Sequence, residues 1–153
     1  MTEPTASQDR RAAKARGPER ASRRAGTTHA YETGLTVRRQ VLGDEHVDRS
    51  LANATPFTAP WQDFVTTVAW GQVWSRDGLD RRTRSLLTLA LLTALHCENE
   101  LAMHVQAAIR NGVTPAEISE VLMHTAVYAG VPAANSAFAV AQRTLNELGV
   151  PTA

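Results

Sequence analysis

An all-α fold, a compact bundle of about six to seven helices, is what the sequence predicts, on three observations. From Tyr31 onward apolar residues recur at three- and four-residue spacing, and almost no stretch alternates apolar with polar residues as a half-buried strand would. Gly and Pro stand between these periodic segments rather than inside them. Capping signatures mark several of the boundaries, above all Thr114-Pro115-Ala116-Glu117, which supplies an N-cap, a proline at the first helical position and a glutamate three residues past the cap.

The elements follow in order. Residues 31–42 form a first helix that stops at Gly43, and Asp44 caps a short one through Leu51. Pro56 and Pro60 bracket a turn, after which Trp61, Phe64, Val65, Val68 and Trp70 or Gln72 keep helical spacing to about Trp74. The connection at 75–80 ends in Asp80, an N-cap for a helix over 81–95. Its second half is apolar on nearly every face and should sit centrally in the bundle. A helix over 98–110 opens with an acidic first turn and ends at Asn111-Gly112, a left-handed stop. After the Thr114 cap, Gly130-Val131-Pro132 separates that helix from a last one over 133–148.

One domain, 29–150, suits the length and the 43% apolar content. The net charge of +1 hides an asymmetry: residues 1–26 carry seven Lys/Arg against three acids, so the basic character belongs to the N-terminus. Residues 1–28 have almost no bulky apolar side chain and are predicted to be a disordered basic tail or linker. Such a tail can touch nucleic acid, but no aromatic is interleaved to stack on bases, and a solvated extension is the simpler reading. A single Cys excludes an intramolecular disulfide, and no apolar run follows the N-terminal basic residues as in a signal peptide. The longest apolar run, 86–95, is about half of what a bilayer-spanning helix needs, so the expected location is the cytoplasm, with no membrane partner.

Chemistry concentrates in ALHCENELAMH, residues 94–104. Glu100 and His104 are four apart on one helical face, so the carboxylate can orient the imidazole and raise its pKa toward neutrality or above, making a proton donor. A solvated surface pair has the same spacing. A redox reading of Cys97 needs a second thiol where Glu100 stands, and a lone cysteine in a helical protein is more often a small buried residue. A metal reading through His96, Glu100 and His104 needs one helix through all three, whereas the acidic cluster at 98–100 starts a new helix and leaves His96 in the connection. No metal is expected. Arg81, Arg82 and Arg84 sit at a helix start, against the dipole, and call for an anionic partner, either a bound carboxylate or ordinary salt bridges to Asp77, Asp80 or another subunit. His124 reads as a core histidine or a catalytic one, and Trp61, Trp70 and Trp74 as core, interface or pocket aromatics.

The strings YETGLTVRRQVLGDEHVDRSLANAT, WGQVWSRDGLDRRTRSLLTLALLTAL and ELAMHVQAAIRNGVTPAEISEVLMHTAVYAGVPAANSAF, spanning roughly 30–148, resemble the carboxymuconolactone decarboxylase family of the alkyl hydroperoxidase D-like superfamily. The resemblance implies an alkyl hydroperoxidase D-like fold assembled as a trimer or hexamer. The peroxidase branch uses a CxxC pair and a histidine. Here Glu100 replaces the second thiol and Ser85 stands near that branch's glutamate, which argues against peroxidase chemistry while leaving His104 at the pocket position. The implied reaction is loss of CO2 from 4-carboxymuconolactone to give 3-oxoadipate enol-lactone in protocatechuate (β-ketoadipate) breakdown, with no cofactor. His104, oriented by Glu100, would deliver the proton. One or more of Arg81, Arg82 and Arg84 would grip the retained acetate arm, and Trp74, His124 and Asn135 would line the pocket. An enol-lactone hydrolase, joined to the decarboxylase in some relatives, is an implied partner. Two other readings stay open: a thiol-dependent peroxidase-like protein, and a non-enzymatic helical oligomer whose tail binds nucleic acid.

Overall fold

The computed structural model describes residues 17–152, with side chains from residue 26 on. Among these residues there is no strand. The chain runs through α1 (Gly17–Leu42), α2 (Asp44–Ala52) and α3 (Ala59–Phe64), and α3 continues without a break into a π-helical stretch, Val65–Trp74. It then forms α4 (Arg81–Ala94), α5 (Glu98–Arg110), α6 (Pro115–Ala129) and α7 (Val131–Glu147).

Helix α1 spans Gly17–Leu42, so the first helix starts ahead of the expected Tyr31, and residues 1–16 of the expected tail lie outside the described residues. Ala, Arg and Glu between Gly17 and Tyr31 are good helix formers, and the side chains of residues 26–29 are exposed. Further on, α1 packs backbone to backbone on the π-helical stretch. A Cβ on Gly34 would stand 2.1 Å from the Thr66 carbonyl oxygen, and one on Gly71 2.0 Å from the Ala30 carbonyl oxygen. Only glycine permits that approach.

Hydrophobic spacing predicted an ordinary helix through Trp74, and the π geometry is the difference. Its hydrogen bonds close five residues back, so a turn holds more residues and a four-residue step drifts less around the axis. Thr66, Trp70 and Trp74 therefore stay on one side, the first two buried and the third half-buried.

Two apolar clusters share α5 as their partition. Leu89, Leu101, Val105, Ile118, Leu122, Val140 and Leu145 form the core of α4 to α7. Val37, Val41, Val47, Trp70 and Ala107, with Trp74 and Met103 against them, form the core of α1, α2 and the π-helical stretch. Within one copy helix α4 is not covered all round: Leu87, Leu91 and Leu95, one stripe at four-residue steps, face outward.

Boundaries fixed by local hydrogen bonding match the sequence closely. Asp80 accepts from the Thr83 N–H at 2.6 Å, and Thr114 and Glu117 make the reciprocal capping box. Asp44 is a correction, because Gly43 at φ 89° is the N-cap of α2 and Asp44 is already its first residue. Helix α4 is closed by His96 in the left-handed region, φ 56°, so that the Cys97 N–H reaches the Leu92 carbonyl at 2.9 Å. No helix among the described residues is long and apolar enough to cross a membrane.

Candidate active site

Helix α5 turns Leu101, Val105 and Ala108 into one core and Met103 and Ala107 toward the other, which leaves His104 at the seam between them. The partly buried imidazole stacks on Trp74, the last residue of the π-helical stretch, with ring centroids 6.3 Å apart and planes at 29°. Trp70 packs behind at 5.0 Å from Trp74. The Nδ1 atom of His104 is buried and has no hydrogen-bonding partner.

Burial pushes the His104 pKa down to about 4, and the neighbouring His46 pushes the same way, while Glu100 acts against both. The expectation that Glu100 lifts the imidazole to neutrality or above is thereby corrected. Glu100 is exposed, makes no hydrogen bond to the ring, and its field reaches His104 through solvent, where it is weaker than desolvation. The imidazole rests neutral.

On the α1 and α2 side stand two residues that sequence reasoning did not single out. His46 has a lowered pKa, from burial first and then from Arg38, Arg49 and Arg110. Arg38 is only 5% exposed. Its Nη1 donates to Gln62 Oε1 and to Thr66 Oγ1, each at 3.0 Å, and its Nε is buried with no acceptor. Both residues lie inside the VRRQVLGDEHVDR string. The available signal was the position of Arg38 beside Val37 on the apolar face of α1, where a charge is unexpected.

With this geometry in place, residues 59–143 match the carboxymuconolactone decarboxylase family. The chain belongs to that family. It is 49% identical over 120 residues, 78% of this chain and 90% of the relative, to a 4-carboxymuconolactone decarboxylase of Acinetobacter baylyi. It is also 49% identical over 118 residues, 77% of this chain and 82% of the relative, to a nitrosuccinic acid decarboxylase of Metarhizium robertsii. A shorter match, 46% over 41 residues, covers 27% of this chain and 85% of a 4-carboxymuconolactone decarboxylase sequence of Pseudomonas putida.

The part that matches the carboxymuconolactone decarboxylase family contains Trp74 and His104 but starts after Arg38 and His46. Other expected site residues are placed elsewhere. Arg81 donates to Gln40, Arg82 pairs with Glu117 and reaches the Gly112 carbonyl, and Arg84 donates to the Arg76 carbonyl at 3.0 Å while its Nε lacks an acceptor. These contacts tie the start of α4 to α1, to α6 and to the 75–80 connection; among the described residues neither Asp77 nor Asp80 forms an ion pair with the three arginines, although Asp80 feels the charge of Arg82. His124 is exposed against Tyr128, ring centroids 5.0 Å apart, and so is not a core histidine. Asn135 is exposed near the start of α7. No hydrogen bond or ring contact joins either to His104 within one copy.

Cys97 occupies the N-cap position of α5, its thiol turned to the Leu95 carbonyl at 3.6 Å. Because His96 lies outside α5, the four-residue steps from His96 through Glu100 to His104 do not fall on one helix. Among the described residues, no three of His, Cys, Asp and Glu gather as a metal would require.

Proposed function

We propose that the protein is a cofactor-independent carboxy-lyase that converts 4-carboxymuconolactone to 3-oxoadipate enol-lactone, a step of protocatechuate catabolism. The observation that carries this is the 49% identity over 90% of the Acinetobacter baylyi relative. The substrate supplies its own electron sink. Its departing carboxylate sits on the ring carbon that bears the lactone oxygen, and a C=C bond conjugates that carbon to the lactone carbonyl. As CO2 leaves, the bonding pair spreads into a furanolate-like dienolate, which must then be protonated on the carbon next to the carbonyl.

His104 delivers that proton. A neutral buried imidazole is the resting state, and a bound dianion raises its proton affinity, so the ring is charged when the substrate is in place and not before. Trp74 stacked on the imidazole fixes the direction of its N–H and keeps that side dry. Glu100 contributes charge from the surface rather than a hydrogen bond. Arg81, Arg82 and Arg84, having protein acceptors, brace the start of α4.

Assembly completes the pocket. Leu87, Leu91 and Leu95 on α4, with Met123, Val127 and Tyr128 on α6, leave a broad apolar surface, and further copies of the chain cover it in a trimer or hexamer that works in the cytoplasm. His124, among these residues, then faces a neighbouring copy. An enol-lactone hydrolase receives the product.

A second reading rests on the Metarhizium robertsii relative, equally identical. Nitrosuccinic acid is also a dicarboxylate whose departing carboxylate sits on a carbon bearing an electron acceptor, and the same proton donor would serve it. The purified chain given each compound separately, with CO2 and organic product followed, tests both. Release of CO2 and enol-lactone from 4-carboxymuconolactone at the higher kcat/KM supports the first reading. Turnover of nitrosuccinate alone replaces it with the second, and turnover of neither removes both.

A further inference from the structure

Arg38 is a buried cation without a counter-ion. Among the described residues no carboxylate pairs with it, and the ion pairs of neighbouring Arg39 go to Asp44 and Asp48 instead. Its two protein hydrogen bonds both leave from Nη1, to Gln62 and Thr66, which are neutral. The buried Nε has no acceptor, and among the described residues no hydrogen bond leaves Nη2. These two atoms form the edge of a guanidinium that receives a carboxylate side-on, through two parallel N–H···O bonds. Leaving a desolvated cation and a buried donor unmet is costly, and an incoming anion relieves both.

The surroundings place Arg38 in the cluster that backs the candidate active site. The α1 segment that holds Arg38 packs with Val37 and Val41 in the same cluster as Trp70 and Trp74, the latter stacked on His104. His46 stands within electrostatic reach of both Arg38 and His104. The Gly34–Gly71 crossing clamps α1 to the π-helical stretch one turn before Arg38, so the guanidinium is held by Thr66 and Gln62 in a fixed plane. A guanidinium held in the cluster that backs the histidine's stacking partner, and offering two parallel donors, suits a dicarboxylate substrate.

We propose that Arg38 is the residue that grips the retained carboxylate of the substrate, side-on through Nε and Nη2, with Gln62 and Thr66 as its positioning residues. The identity of the retained arm rests on the decarboxylase reading; the anion site itself does not. Gripping the retained arm rather than the departing one is the productive choice. An arginine bonded to the carboxylate that leaves would stabilise the ground state and oppose loss of CO2.

The test uses the full chain in two measurements: steady-state decarboxylation of 4-carboxymuconolactone, and the shift in melting temperature caused by succinate, an unreactive dicarboxylate. Arg38→Gln is expected to raise KM by about 100-fold with kcat far less affected, and to abolish the succinate shift. Arg38→Lys keeps the charge but loses the paired geometry, and is expected to raise KM by about 10-fold. Thr66→Val, which leaves the guanidinium but frees one Nη1 hydrogen, is expected to raise KM by a few-fold and so provides a readout where Arg38→Gln fails to fold. Unchanged KM in Arg38→Lys and Thr66→Val overturns the assignment. So does dissociation of Arg38→Gln into monomers with KM intact, because the anion would then be a carboxylate of another copy. A wild-type chain that does not turn over 4-carboxymuconolactone but is stabilised by succinate, through Arg38, keeps the anion site and removes the substrate.

Discussion

Trp74 stacks on His104, their ring centroids 6.3 Å apart and their planes 29° from parallel, and this contact joins the end of the π-helical stretch to the middle of α5. It supplies much of what the exposed Glu100 does not: a fixed ring plane and a desolvated one.

Replacing the imidazole is the most direct probe of the chemistry. His104→Gln keeps polarity and approximate size but carries no proton to deliver, so kcat should fall by about 100-fold or more with KM little changed. Glu100→Gln removes only a through-solvent field and should cost less than about 10-fold. Stopped-turnover product analysis of both variants checks the order, and near-normal kcat in His104→Gln would sink the proton-donor assignment.

Stability should depend on acid in a way set by the same ring. The folded pKa of His104 is about 4 and the unfolded value is 6.5, so between these the unfolded chain binds the proton that the folded chain refuses. Stability is therefore full above pH 6.5, falls as pH drops toward 4, and loses at most about 3 kcal/mol from this group. His46, also lowered, adds in the same direction. Urea titrations between pH 7 and pH 4.5 should show the decline, and it should be shallower in His104→Gln. An equal slope in the two proteins would assign the decline to other groups.

The helix crossing at Gly34 and Gly71 leaves no room for a methyl group, because each Cβ would run into backbone rather than a movable side chain. Gly71→Ala should destabilise the chain by about 3 kcal/mol or more, above the usual cost of overpacking, and should loosen Arg38 as well as the fold. Chemical denaturation measures the loss; a change below about 1 kcal/mol would mean that α1 shifts without consequence.

The outward stripe of α4 predicts its own variant. Leu91→Glu places a charge in the centre of the Leu87, Leu91 and Leu95 row, and should convert the assembly to monomers by light scattering at micromolar concentration. Wild-type chain that is already monomeric there would remove the proposed assembly.

Cys97→Ala should leave turnover nearly unchanged and cost about 1 kcal/mol of stability, since the thiol is partly buried at the start of α5 with only the Leu95 carbonyl as a polar neighbour. Collapse of activity in this variant would favour thiol chemistry.

What the sequence by itself determined is the local part of the structure. Asp80, Thr114 with Glu117, and Asn111-Gly112 set helix ends through hydrogen bonds between residues only a few positions apart, and that kind of interaction is written in adjacent letters. The string resemblance likewise pointed to the family that residues 59–143 match. The tertiary structure decided the rest. Spacing shows that Glu100 neighbours His104, but the proton affinity of the ring is set by the desolvation that accompanies packing against Trp74 and by the field of His46 on α2. Three arginines at the start of α4 looked free to bind an anion until Gln40, Glu117 and the Arg76 carbonyl were placed beside them. Arg38 looked like one more basic residue in a charged string until the Gly34–Gly71 crossing buried it with an edge unmet. Burial and charge pairing depend on which distant segments meet, and only packing settles that.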